Sequence, residues 1–191
     1  MVDFFLNNKK VSATKDETIW QVAKKNGVLL PHLCYSDKPG YRADGNCRAC
    51  MVSIEGERVL AASCIRKPSE GMKVNTTDER SEKSRKMIVE LLVTDQPQKE
   101  DCHDPDSHFW KIADDVKVNQ SRFDKREKKD IPISDNSHVA MAVNLDACIN
   151  CNLCVRACRE VQVNDVIGMG NRGHTSQVIF DFDDPMGDST C

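Results

Sequence analysis

At 191 residues the chain has room for one ordinary domain or two small ones. Apolar residues make up 39% and charged residues 30%, and the net charge of −3 is too small to draw in nucleic acid or a membrane by attraction alone. No run approaches the roughly 20 apolar residues of a membrane-crossing helix. The opening MVDFFLNNKKVSATKD lacks the basic and apolar regions of a secretory signal. These features predict a cytoplasmic protein with no membrane insertion.

Taken in chain order, residues 2–6 and 10–13 read as two strands around the turn Asn7-Asn8. Thr14 with Glu17 fits a capping box for a helix whose inner face is Ile19, Val22 and Ala23 and whose stop is Gly27. Met51–Ile54 and Val59–Ala62 read as a hairpin closed by Glu55-Gly56-Glu57. Thr76 with Glu79 is a second capping-box candidate, opening a helix to about Val93 with Met87, Ile88, Leu91 and Leu92 on one face. Residues 95–138 are rich in Asp, Lys, Gln and Ser, with a charge run from Asp124 to Asp130, and read as a solvated linker with one ordered piece near His108–Ile112. Gln177–Phe182 reads as a strand. The expected class is α+β. Its parts are a β-grasp ferredoxin-like domain over 1–75, a helical and irregular connector over 76–138, and a partial double-cubane ferredoxin-like domain over 139–191.

The chain has ten cysteines. In a reducing compartment such a number favours metal ligation over disulfides. Four lie between residues 34 and 64 and four between 148 and 158, with Cys102 and Cys191 apart. Cys34, Cys47, Cys50 and Cys64 supply the four thiolates of a [2Fe–2S] cluster, two for each iron. Gly45, just before Cys47, lets the backbone curl and aim N–H groups at sulfur. Zinc usually takes two close C-x2-4-C knuckles, whereas here there is one knuckle and two isolated cysteines. Zinc and plain buried thiols stay as alternatives.

The run Cys148-x2-Cys151-x2-Cys154-x3-Cys158 is the more specific signal, because three closely spaced cysteines wrap three corners of a [4Fe–4S] cube. Cys158 would then serve a second cube, to which Cys191 would contribute as the first cysteine of a further motif, and the chain reads as cut off within a two-cluster domain. The alternative is one cube held by Cys148, Cys151, Cys154 and Cys158, with Cys191 incidental. The string Gly168-Met-Gly-Asn-Arg-Gly has the form of a nucleotide loop but no strand-to-helix context to support it.

The stretch PHLCYSDKPGYRADGNCRACMVSIEGERVLAASCIRKPSEGMKV resembles the amino-terminal [2Fe–2S] domain of the alpha subunit of NAD-linked, molybdenum- or tungsten-dependent formate dehydrogenases. So do HDPDSHFW, MAVNLDACINCNLCVRACREVQVNDVIGMGNRGH and FDFDDPMGDSTC. More distantly, the layout is similar to the large iron–sulfur subunit of complex I and the diaphorase-linked subunit of NAD-reducing hydrogenases. The resemblance implies clusters that relay electrons between a molybdenum or tungsten pterin centre, absent from this chain, and a flavin-bearing, NAD-reducing diaphorase-type partner. It implies no catalytic residue here and no nucleic-acid partner. Complex I relatives carry a further cube on one histidine and three cysteines. Cys102, His103 and His108 lack the C-x2-C this requires and read as packing or surface residues. A freestanding ferredoxin-like carrier and a zinc-stabilised interaction module are the rival readings. Arg42, Arg48 and Arg66 are candidates for tuning the first cluster, or ordinary surface arginines.

Overall fold

The computed structural model describes residues 1–127 and 131–190, so the end of the charge run and Cys191 lie outside the described residues. The chain forms two compact units. The first holds Met1–Tyr35, Ala43–Val89 and Ile112–Val118; the second holds Ser36–Arg42, Glu90–Lys111 and Asn119–Cys191.

In the first unit, strands β1 (Val2–Leu6) and β2 (Lys9–Ala13) pair antiparallel, from Val2 opposite Ala13 to Leu6 opposite Lys9. Their two-residue turn places Asn7 and Asn8 at φ of 49° and 67°. A type I′ turn, with two left-handed residues, matches the right-handed twist of a tight hairpin, and asparagine tolerates that conformation. Helix α1 (Ile19–Lys25) follows. Its capping box is Thr18 with Gln21: the Thr18 side chain accepts from Gln21 N, and Thr18 N donates to Gln21 Oε1 at 2.9 Å. This corrects the expected start at Thr14. Thr14 N does donate to Glu17 Oε2 at 2.8 Å, but that bond shapes the turn before the helix. The helix stops at Gly27, whose φ of 75° needs glycine.

Strands β3 (Met51–Ile54) and β4 (Ala61–Ala62) form the expected hairpin, but β4 begins two residues late, because Val59 is solvent-exposed and makes no ladder. Strand β5 (Lys73–Asn75) escaped sequence reading, being only three residues long. It is nevertheless the centre of the sheet, whose order is β2-β1-β5-β3-β4. It runs parallel to β1 and antiparallel to β3. The first and last strands thus lie side by side and parallel in a mixed sheet, the β-grasp arrangement. Alternation on the strands sends Phe4, Leu6, Val11, Val52, Ile54 and Val74 into a core shared with Ile19, Trp20 and Val22 of α1.

Helix α2 (Glu79–Val93) gives residues 79–89 to the first unit and 90–93 to the second. Its cap is Asp78, whose carboxylate accepts from Ser81 N at 3.3 Å and Ser81 Oγ at 2.5 Å. Thr76, the expected cap, is engaged elsewhere: its N–H donates to Asn7 Oδ1 at 2.8 Å. The inward face also differs from expectation. Ser81, Arg85 and Val89 are buried, while Leu91 is 45% exposed. A buried arginine within that stripe is invisible to a search for apolar spacing.

In the second unit, helix α3 (His108–Asp115) is the ordered piece expected in the linker, and gives residues 112–115 to the first unit. Helix α4 (Leu153–Arg156) runs directly into a π-helical turn, Ala157–Gln162. Strands β6 (Ile167–Gly170) and β7 (Gln177–Phe180) pair antiparallel. The glycine-rich string is therefore in part a strand. β7 ends at Phe180, two residues earlier than expected, where Asp181 turns the backbone at φ of 48°. Val155, Cys158, Ile167, Val178, Phe180 and Met186 form the local core. Among the described residues, no helix is long and apolar enough to cross a membrane.

Candidate metal centre

The first unit gathers Cys34, Cys47, Cys50 and Cys64. Cys34, Cys50 and Cys64 are buried and Cys47 is half-buried. Each is placed by a different piece of backbone. Cys50 stands immediately before β3, and its carbonyl accepts from Ser63 Oγ at 2.8 Å and Ser63 N at 3.3 Å. That pair locks the Cys64 turn against the Cys50 strand end. The first turn of α1 holds the same loop from the other side: Trp20 N donates to Ser63 O at 3.0 Å and Ile19 N to Arg66 O at 2.9 Å. Helix α1 thus spends N–H groups that have no intrahelical partner on the carbonyls flanking Cys64.

The loop leading to Cys47 and Cys50 turns on left-handed residues. Gly45 has φ of 63° and Arg48 φ of 59°. A Cβ on Gly45 would sit 2.8 Å from Ile65 Cδ1, so the position demands glycine twice over. The turn points N–H groups at sulfur: Cys47 N to Cys34 Sγ at 3.4 Å and Ala49 N to Cys47 Sγ at 3.5 Å.

The sulfurs interact in a chain, Cys47 to Cys34, Cys34 to Cys64, and Cys64 to Cys50. The Cys47 thiol, then the Cys64 thiol, draw Cys34 down to about 2. The Cys64 thiol likewise lowers Cys50 to about 6. Their donors are pushed the other way: Cys34 raises Cys47, and Cys34 with Cys50 raises Cys64. Four thiolates packed this closely repel one another, and bound cationic metal is what lets them share one site. Among the described residues no group of three His, Cys, Asp or Glu converges on a single metal ion. A two-iron centre spreads its four thiolates over two metals and does not require such convergence. The donor set, the amide groups and the burial fit a [2Fe–2S] cluster.

In the second unit, Asn150 and Asn152 alternate with Cys148, Cys151 and Cys154 and take left-handed φ of 51° and 62°. Asn150 N donates to Cys148 Sγ at 3.4 Å. Burial of its sulfur, then the neighbouring Cys151 and Cys148, raise the thiol of Cys154, so these three sulfurs feel one another. Cys158 is buried in the local core, and Val166 N donates to its sulfur at 3.3 Å. Cys158 lies at the start of the π-helical turn, one residue after Ala157. Sequence reading missed Arg156. It is buried, its guanidinium stacks over Tyr41, and it donates to the Arg42 carbonyl. Arg42 itself pairs with Glu160 at 3.0 Å, and Arg66 pairs with Glu57 at 2.5 Å. Cys102 donates to the Lys99 carbonyl at 3.0 Å, while His103 and His108 lie exposed.

Residues 1–79 match the family described as a 2Fe-2S iron-sulfur cluster binding domain. The NADP-reducing hydrogenase subunit HndD of Solidesulfovibrio fructosivorans is 29% identical over 202 residues, covering 100% of this chain and 33% of the relative. The mitochondrial NADH-ubiquinone oxidoreductase 78 kDa subunit of Candida albicans is 29% identical, with coverages of 93% and 25%. A NADH-quinone oxidoreductase subunit of Rickettsia typhi is 27% identical, with coverages of 93% and 26%. The chain therefore spans only a quarter to a third of the length of these curated relatives. A solved NAD+-reducing [NiFe]-hydrogenase, in its H2-reduced state, has a chain that superposes with a TM-score of 0.87 at 25% identity, covering 100% of this chain and 80% of that one. The amino-terminal part of this chain carries a 2Fe-2S domain with homology to NADH-quinone oxidoreductase subunits and to NAD(P)-reducing hydrogenase subunits.

Proposed function

We propose that this chain is the electron-relay portion of a multi-subunit NAD(P)-linked oxidoreductase, passing single electrons between a catalytic centre outside it and a flavin-bearing diaphorase-type partner. The observation that carries this reading is the four-cysteine site, which combines three buried cysteines and one half-buried one with inward N–H groups and a locked Cys64 turn. When bound at Cys34, Cys47, Cys50 and Cys64, a [2Fe–2S] cluster supplies one-electron chemistry with no bond to substrate. The chain's own residues exclude water, fix the ligands in place so that little rearranges when charge changes, and offer amide dipoles that ease the added negative charge. Cys148, Cys151 and Cys154 would hold three corners of a [4Fe–4S] cube in the same relay, with Cys158 and Cys191 assigned to a second.

The hydrogenase and complex I relatives support an electron-transfer subunit of that type. A formate dehydrogenase alpha subunit is the second reading. It is favoured by the segment resemblance and by Cys102 standing without the C-x2-C of complex I relatives. Purification of the tagged native complex, followed by metal analysis and NAD reduction assays, separates them. Molybdenum or tungsten with formate-driven NAD reduction supports the formate reading, and nickel or hydrogen-driven reduction supports the hydrogenase reading. A chain isolated without iron and sulfide would overturn both.

A further inference from the structure

Arg85 of α2 is 7% exposed, although arginine seldom leaves water without reason. Its guanidinium lies across the inner end of β3. Nη1 donates to Met51 O at 2.9 Å and Nη2 to Thr76 O at 2.6 Å. Met51 follows the ligand Cys50 directly, and the Cys50 carbonyl is itself fixed by Ser63. The hydrogen bonds of Arg85 thus go to backbone carbonyls, which satisfy its donors without cancelling its charge. Three other groups act on it electrostatically: Glu82 and Asp78 of the same helix start, and Cys50 of the cysteine site. Asp78 is already committed to Ser81 and Ser53, with Ser53 Oγ donating to it at 2.8 Å. A clamp between helix and sheet needs only donors, which an uncharged glutamine could supply in part. Glu82 and Asp78 offset part of the buried charge, and an anionic centre beside Cys50, next to the Met51 carbonyl that Arg85 holds, would offset more of it.

We propose that Arg85 is a positioning residue that raises the reduction potential of the centre on Cys34, Cys47, Cys50 and Cys64 through its buried positive charge. The inference rests on the [2Fe–2S] reading. On reduction the centre takes one electron and becomes one unit more negative, while no bond forms or breaks. A buried cation nearby stabilises that form, and burial protects the interaction from screening by salt. A unit charge about 10 Å from a redox centre, at an effective dielectric constant of about 20, changes a one-electron equilibrium on the order of tenfold.

The test is a dithionite titration with redox mediators, followed by electron paramagnetic resonance, on the anaerobically reconstituted chain of 191 residues. Arg85→Gln is expected to lower the reduced-to-oxidised ratio at fixed solution potential about tenfold, equal to about 59 mV for one electron. Arg85→Lys keeps the charge but loses the two-carbonyl fork. It is expected to hold the potential within about threefold, even where its melting temperature falls. An unchanged potential in Arg85→Gln, with iron and sulfide fully retained, overturns the inference and leaves the cluster reading intact. Should Arg85→Gln fail to fold, Arg85→Lys decides: a tenfold fall there shows that geometry rather than charge sets the potential. Absence of iron and sulfide from the wild-type first site overturns the cluster reading itself.

Discussion

Replacing Gly45 with alanine perturbs the cysteine loop in two separable ways. The backbone sits at φ of 63°, where a Cβ costs about 1 kcal/mol. The new methyl group would lie 2.8 Å from Ile65 Cδ1 and 3.3 Å from both Ile65 Cγ1 and Cγ2. Three atoms of one side chain are in the way, so rotation of the tip alone gives no relief. Ile65 is 43% exposed and free to swing outward, at an off-rotamer cost of about 0.5–1.5 kcal/mol. The expected total is about 1.5–2.5 kcal/mol, felt at the residue after Cys64 and therefore also as faster loss of iron. The assay is a double-mutant cycle with Ile65→Ala, read by anaerobic denaturant unfolding and by the rate of iron release to a chelator. Gly45→Ala is expected to cost about 1 kcal/mol when Ile65→Ala is already present, leaving a coupling of about 0.5–1.5 kcal/mol. Equal cost in both backgrounds would refute the contact argument, and no cost in either would refute the left-handed constraint as well.

Three further outcomes follow from the same geometry. Thr18→Ala removes the α1 cap and is expected to cost about 1 kcal/mol; it should also speed iron release, since α1 holds the carbonyls on either side of Cys64. Asp78 is buried enough to be pushed up, but the hydrogen bonds from Ser81, Ser53 and the helix amides outweigh that and hold it below its ordinary 3.8. Its contribution is therefore complete above the ordinary value and disappears as the pH falls through the depressed folded one. Acid unfolding of Asp78→Asn should show a shallower pH dependence than wild type below about pH 4. Gly187→Ala brings a Cβ to 2.6 Å from the Ser137 carbonyl oxygen, a backbone atom with little freedom. A loss of about 1–3 kcal/mol in thermal unfolding is expected, whereas Gly56→Ala meets nothing within 4 Å and carries only its left-handed φ of 83°.

Sequence alone named the candidate ligands and made the scaffold only partly legible. Cysteine spacing names candidate ligands because a cluster constrains covalent neighbours along the chain, and Gly45 announces a turn. The strands around Asn7-Asn8 were equally clear, since alternation and turn chemistry agree there. The central strand β5 was not. Its short run with a single buried valine carries no readable period, and its place depends on β1, at the other end of the domain sequence. The caps were misplaced because several Thr, Asp and Glu side chains compete near each helix start, and tertiary partners such as Asn7 decide between them. Arg85 and Arg156 were missed for a related reason: nothing in a sequence tells a buried arginine from the many on the surface.

The measurement that bears most directly on the central claim is Mössbauer spectroscopy of the anaerobically reconstituted chain, with iron and sulfide counted for wild type and for Cys50→Ala. To isolate the first site, both are prepared with Cys148, Cys151 and Cys154 replaced by serine. The account predicts about two irons and two sulfides per chain in the parent, with the spectrum of a thiolate-ligated [2Fe–2S] pair, and loss of that spectrum in Cys50→Ala. Zinc without iron or sulfide in the parent, or an unaltered iron spectrum in Cys50→Ala, would contradict it.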